Sequence, residues 1–257
     1  MAVDVHALNR RYQSLRDERS PWDSAYADLA LHFSPTKYRS DASSDTSRNP
    51  QILNSLLVDS TGVLDMRTLA AGMQGGMTSP ARPWFKLTLQ DEEALSAPDA
   101  GKWLDDVTRR MQSVLHRSNF YNAAHALYSD LGTFGTGLMI EVADWDGLHF
   151  FVVNAGEYVI DTNEMNVVDT FFRRINMTAR QIIQEFGEEK VPNIVKTAAK
   201  YKTGNASTTR FDVIQAVYPR KDRTYGKMTS SNMPFASVYW MLAGTDGQDR
   251  KSTRLNS

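Results

Sequence analysis

The sequence predicts an α+β fold, an N-terminal helical region followed by an antiparallel β-rich region with short helices. Two patterns carry this expectation. As far as Phe134, apolar residues recur at spacings of three and four, whereas from Leu138 they collect in short runs divided by turn residues. Asp146-Gly147, between Leu138 to Val142 and Leu148 to Val153, is the sharpest turn signal and places a hairpin close to that change of period. The expected division is a helical region over 1–136 with an exposed loop at 35–50, then a β-rich region with short helices over 137–248.

Taken in order, Leu8, Tyr12, Leu15, Trp22, Tyr26, Leu29 and Phe33 form one stripe at helical spacing. Ser20-Pro21 interrupts it. Serine is a good N-cap and proline is tolerated in a first turn, so the stripe reads as two helices or one kinked helix with the same face inward. The Ser- and Asp-rich run from Pro35 to Pro50 reads as an exposed, mobile loop. A helix from about Leu53 to Met77 carries Leu56, Val63, Met66, Ala70, Met73 and Met77 on one face and Leu53, Leu57 and Leu64 on another, which predicts burial on both sides. Its Gly72, Gly75 and Gly76 each weaken a helix by up to ~1 kcal/mol relative to alanine. That cost is best tolerated where backbones pack closely or a helix ends.

Pro80 and Pro83 then break the chain around Trp84 and Phe85, and Trp84 to Leu89 reads as a strand. A helix following Ser96-Ala-Pro98-Asp99 has Leu104, Val107, Met111 and Val114 on its seam. Ser118 or Asn119 caps the next, with Phe120, Ala124, Leu127, Leu131 and Phe134 on one face, and the two are expected to form a helical hairpin. Beyond the Asp146-Gly147 hairpin, strands are expected at Glu157 to Asp161, Val167 to Asn176, Phe211 to Tyr218 and Phe235 to Leu242. A capped helix over Thr178 to Phe186 and another over Pro192 to Lys202 lie between them.

Composition narrows the function classes. The chain has 257 residues, 41% apolar and 23% charged, as in soluble globular proteins. Twenty-nine basic residues stand against 30 acidic ones, giving a net charge of -1, so the global basic field that drives nucleic-acid binding is absent. No apolar run approaches the roughly 18 to 20 residues that cross a bilayer, and MAVDVHALNRR lacks the apolar core of a signal peptide. With no cysteine, disulfides and thiolate metal sites are excluded, in keeping with synthesis in a cytosol-like compartment. Residues 249–257, DRKSTRLNS, match one reading frame of a common sequencing-adapter end, so the natural chain is expected to differ from 249 onward and to be longer.

Candidate chemistry is sparse. Gly132-Thr-Phe-Gly135-Thr-Gly137 has the glycines of a phosphate cradle in the wrong order: they end a helix and begin a strand, where carbonyls and the negative end of the dipole repel phosphate. A C-cap with a tight connection is the expectation there. The five histidines, at 6, 32, 116, 125 and 149, form no metal-binding motif, and no cofactor motif is present. Asp144 and Asp146 flank Trp145 in the hairpin. With Glu141 they are the carboxylates on which a metal-dependent nuclease or hydrolase would have to rest, although turn chemistry explains them as well. The basic clusters Arg10-Arg11, Arg109-Arg110, Arg173-Arg174 and Arg220 to Arg223 have acidic neighbours and read as solvated or salt-bridged faces. A stand-alone DNA-binding adaptor would need them to converge on one face.

Taken together, several segments resemble the portal, or head-to-tail connector, proteins of short-tailed bacteriophages. They are Arg19-Ser-Pro-Trp22, Phe33-Ser-Pro35, Asp59-Ser-Thr, the run from Leu69 to Phe85 ending in Thr78-Ser79-Pro80-Ala81-Arg82-Pro83-Trp84-Phe85, Ser118-Asn-Phe120, and Leu131 to Gly137 leading to Glu141. The resemblance covers nearly all of residues 1–248, and its most specific part is the Thr78 to Phe85 element. It implies a portal-like wing whose C-terminal stem, clip and crown lie outside this chain. It also implies a non-enzymatic ring of identical subunits, usually twelve, at a capsid vertex. Double-stranded DNA would pass through that ring, and the terminase, the major capsid and scaffold proteins and the tail adaptor would be its partners. Under that resemblance Thr78, Ser79, Pro80, Arg82, Pro83, Trp84, Phe85, Gly132, Gly135 and Gly137 are the packing or interface candidates, and the expected location is the virion, with assembly in the host cytoplasm.

Overall fold

The computed structural model describes residues 4–35, 37, 59–90, 98–145, 147–200, 210–220, 224, 226, 229, 232–242 and 253–255. The elements are α1 (Val5–Phe33), α2 (Thr61–Met77), α3 (Pro98–Arg117), α4 (Phe120–Phe134), β1 (Leu138–Asp144), β2 (Gly147–Val153), β3 (Tyr158–Thr162), β4 (Val168–Thr178), α5 (Ala179–Phe186), α6 (Asn193–Lys200), β5 (Arg210–Pro219), β6 (Phe235–Met241) and β7 (Thr253–Leu255). The α+β class and the order of its parts agree with the sequence reading. The expected loop at 35–50 lies, apart from Pro35 and Lys37, outside the described residues, as do residues 53–58 of the expected second helix.

Contacts divide the chain into two units. The first comprises Met1–Trp22 with Glu157–Ser257, and the second comprises Asp23–Gly156. The β1–β2 hairpin therefore groups with the helices, and the start of α1 groups with the sheet.

In the first unit β3, β4, β5, β6 and β7 form one antiparallel sheet in sequence order. Strand residues alternate between faces, so Val159, Phe172, Ile214, Ala216, Val238 and Trp240 share one face. Val5, Leu8, Tyr12 and Leu15, spaced 3, 4 and 3, bring one stripe of α1 onto it. The opposite face carries Val213 and Met241 beneath Ala179, Ile182 and Phe186 of α5 and Val191 and Val195. Helix α5 starts where expected because Thr178 and Gln181 form a capping box, in which the Gln181 amide donates to Thr178 Oγ1 and the Thr178 amide to Gln181 Oε1 at 2.9 Å. Arg174 pairs with Asp212 at 2.6 Å, and Arg11 with Asp161 at 2.5 Å.

In the second unit α4 packs chiefly along α2, with a smaller contact to α3, so the expected α3–α4 hairpin is the lesser pairing. Ala70, Phe120, Ala123, Ala124, Tyr128 and Phe150 make the core between α2, α4 and β2. A smaller cluster joins Tyr26, Ala30, Phe134 and Ala155. The expected hairpin is present, but its register, from Leu138 opposite Val153 to Asp144 opposite Gly147, puts Gly147 in β2, so the connection is 145–146 and not the expected Asp146-Gly147.

Four local expectations are corrected. Helix α1 is a single helix with Pro21 inside it, one of the two alternatives expected, but its stripe is not inward throughout, since Trp22 and Leu29 are exposed. Trp84 to Leu89 is not a strand: its backbone groups bond to helix side chains instead of a neighbouring strand. Helix α2 buries Met66 and Ala70 but exposes Leu64 and Leu69, and a Cβ built at Gly72, Gly75 or Gly76 would meet open space. The seam of α3 is half buried, with Leu104 inside and Met111 and Val114 outside. In each helix the apolar sector is wider than the surface that the described residues supply to cover it.

Candidate assembly site

Local chemistry fixes the course of Thr78 to Phe85. Thr78 ends α2, its amide bonding to the Gln74 carbonyl at 3.0 Å, and its buried hydroxyl lies 3.0 Å from the Tyr128 hydroxyl. Ser79 Oγ accepts from the Ala81 amide at 3.3 Å, closing the turn that carries the exposed Pro80, and Arg82 reaches back to the Gly75 carbonyl at 3.4 Å. Pro83 is exposed and directs Trp84 inward. The indole stacks on Phe120 at 5.8 Å and 6°, with Phe85 edge-on at 4.8 Å and Phe150 edge-on to Phe120 at 5.2 Å. Trp84 Nε1 is buried without a hydrogen-bond partner.

Polar side chains hold this segment and its surroundings, and of these the sequence reading singled out only Asn119, as a helix cap, a role its side chain does not take. Thr108 Oγ1 donates to the Leu104 carbonyl at 2.7 Å and accepts the Leu87 amide at 3.2 Å. Gln112 Nε2, one turn on, donates to the Phe85 carbonyl at 3.2 Å. Asn119 embraces Phe150 of β2, accepting its amide at 2.8 Å and donating to its carbonyl at 2.6 Å. Gln74 donates to the Tyr121 carbonyl at 2.9 Å, and its Oε1 lies 3.1 Å from His125 Nδ1. The available signal was the position of Thr108 and Gln112 beside Leu104 on an apolar face, where a polar residue must find a partner.

The three glycine candidates sit at the end of α4. Gly135 is its C-cap at φ 73°, with its amide bonded to Leu131 O at 3.0 Å. A Cβ at Gly132 would come within 2.7 Å of Met66 Sδ, and one at Gly137 within 2.6 Å of Leu127 Cδ1, so both mark close approaches. Nearby, Lys37 donates to the Ala126 carbonyl at 2.9 Å and pairs with Asp130 at 2.8 Å. Burial pushes the Asp130 carboxyl above its ordinary range, and the hydrogen bond and charge of Lys37 oppose this only in part. The native state thus holds the proton after the unfolded chain has released it at about pH 3.9. This group's share of stability should fall as pH rises from there through the raised native value, and stay low above it. Urea midpoints measured against pH should show that slope in the parent and lose it in Asp130→Asn, while an unchanged slope would refute the assignment.

Among the described residues no group of three or more His, Asp and Glu side chains is placed to hold a metal ion. Glu141 is exposed on β1, and Asp146 lies outside the described residues. The Arg pairs divide between the two units: Arg11 and Arg174 are paired with aspartates in the first, while Arg109 and Arg110 both approach Asp106 in the second. No helix among the described residues is long and apolar enough to cross a membrane.

Of the sequence-selected residues, Thr78, Trp84, Phe85, Gly132 and Gly137 make close contacts within this unit, Gly135 caps α4, and Pro80, Arg82 and Pro83 are exposed. The chain belongs to the bacteriophage head to tail connecting protein family, whose model matches residues 5–252. It is 36% identical over 246 residues to the portal protein of Salmonella phage epsilon15, covering 94% of this chain and 43% of that protein. It is 37% identical over 234 residues to the probable portal protein of Bordetella phage BPP-1, covering 91% of this chain and 41% of that one. The chain spans less than half the length of these curated relatives.

Proposed function

We propose that the chain is part of a portal subunit, a structural and non-enzymatic component that assembles with copies of itself into a ring at the capsid vertex. Double-stranded DNA passes through the ring during packaging and ejection. The terminase, the major capsid and scaffold proteins and the tail adaptor are its partners, and the virion is its final location. The observation that carries this reading is likeness to two phage portal proteins over more than nine-tenths of the chain. Two physical features support it. A net charge of -1 suits a channel through which DNA must slide, since each tight phosphate contact would act as a brake. Helices whose apolar sectors exceed their cover within one chain suit a subunit placed among copies.

The test is to express the full-length gene and measure the purified product by native mass spectrometry. A longer subunit in a ring of about a dozen copies is expected, the symmetric closure of a head-to-tail contact. A full-length product that stays monomeric at all concentrations would remove the basis of the proposal.

A further inference from the structure

The second unit carries an exposed apolar ridge. On α3, Trp103, Val107, Met111 and Val114 follow at spacings of 4, 4 and 3, and Trp103, Met111 and Val114 are 64%, 43% and 43% exposed. This ridge adjoins the buried Leu104 and Thr108 and the half-buried Leu115, so the helix is apolar over a sector of which only part is covered among the described residues. The same unit also has a second uncovered face, of opposite relief. The outward side of α2 presents Leu64, 56% exposed, and then the small residues Ala71, Gly72, Gly75 and Gly76, where a Cβ on each glycine would meet nothing within 4 Å among the described residues and Arg82 reaches only the Gly75 carbonyl.

We infer that the α3 ridge of one subunit docks on the outward face of α2 of the next copy, so that this pair of faces is a subunit–subunit contact of the ring; the inference rests on the portal reading above. Relief and charge both select a second copy as the occupant. Bulky side chains need a partner without them, and the glycines let a Trp or Met approach the α2 backbone. Asp106 and Arg110 stand one turn apart along the outer flank of the ridge, while Asp65 and Arg67 stand on the flanks of α2 near its start. Docking can set Arg110 against Asp65 and Asp106 against Arg67, opposite charges in both places. The Arg110–Asp106 pair at 2.9 Å is solvent-exposed, so its exchange for an intersubunit pair costs little. Two different patches meeting head to tail close a ring, whereas a ridge meeting its own copy would close a two-fold dimer.

Cysteine cross-linking tests this directly, because the segment contains no cysteine. Met111→Cys and Gly72→Cys are made separately in the full-length subunit, with any cysteine beyond this segment replaced, and the two are mixed with a short bis-maleimide. Cross-linked subunit pairs are expected in the mixture and in neither variant alone. Trp103→Ala, with its circular dichroism unchanged, should weaken self-association about tenfold or more. Cross-links in Met111→Cys alone would overturn the inference in favour of a two-fold α3 contact. Native mass on the same samples separates the two levels. Rings whose mixed variants do not cross-link overturn the face assignment and leave the portal reading intact, and a monomer without cross-links overturns both.

Discussion

Trp240→Ala is expected to cost about 3–5 kcal/mol, most of the stability of the sheet unit. Trp240 is fully buried on β6, opposite Ile214 of β5, with Phe172 edge-on at 6.3 Å. The same face receives Val5 and Tyr12 of α1, so truncation opens a cavity between strand and helix that neither can fill by moving alone. The indole Nε1 is buried without a partner, which makes Trp240→Phe informative. Phenylalanine leaves a smaller void and removes an unsatisfied donor that costs on the order of 1–3 kcal/mol. Its penalty should be roughly half that of alanine or less. Urea unfolding followed by circular dichroism measures both variants, and an alanine penalty below about 1 kcal/mol would mean that this face is not the unit's core.

Features set by neighbours in sequence were legible before the structure was known. The presence of the β1–β2 hairpin follows from the turn signal at Asp146-Gly147, although the turn falls one residue earlier, the start of α5 from Thr178 with Gln181 three residues on, and the end of α4 from Gly135 in the left-handed conformation. Features set by distant partners were not. Val5, Leu8, Tyr12 and Leu15 cover strands that begin only at Tyr158, and no one-dimensional period says which stripe meets which sheet. The same limit explains Trp22, Leu64 and Met111: apolar periodicity identifies a face that avoids water, but a single chain need not supply what covers it. Trp84 to Leu89 shows a third limit. Its alternating apolar pattern is that of a strand, yet Thr108 and Gln112 of α3 supply the hydrogen bonds that a neighbouring strand would have given. The family segment Thr78 to Phe85 was found as a motif, while the side chains that clamp it are polar residues beside Leu104 on an apolar face of α3, a position that asks for a partner without saying which.

Trp84→Ala is the second large effect and decides what that segment does. Its indole fills the space between Phe120 and Phe85 in the core built by α2, α4 and β2, and its loss should cost about 2–4 kcal/mol. The consequence should be local as well as global. Without the stacked ring the segment is held by Thr108, Gln112 and the Thr78 hydroxyl, neutral hydrogen bonds each worth roughly 1 kcal/mol, and by the exposed contacts of Arg82 to the Gly75 carbonyl and Lys86 to Asp105. Hydrogen exchange at the Leu87 amide, which donates to Thr108, should then accelerate more than exchange at the Phe150 amide, which Asn119 holds independently. Trp84→Phe keeps a ring on Phe120 and removes the unpartnered Nε1, so it should retain most of the stability and the slow exchange. A different pattern has a different meaning. If Trp84→Ala leaves stability and Leu87 exchange unchanged but abolishes self-association of the full-length subunit, the segment acts at the surface between copies and its place in this core is incidental. If stability and exchange change together, the motif is an internal brace that orients α2 and α3, and the assembly faces on those helices depend on it indirectly.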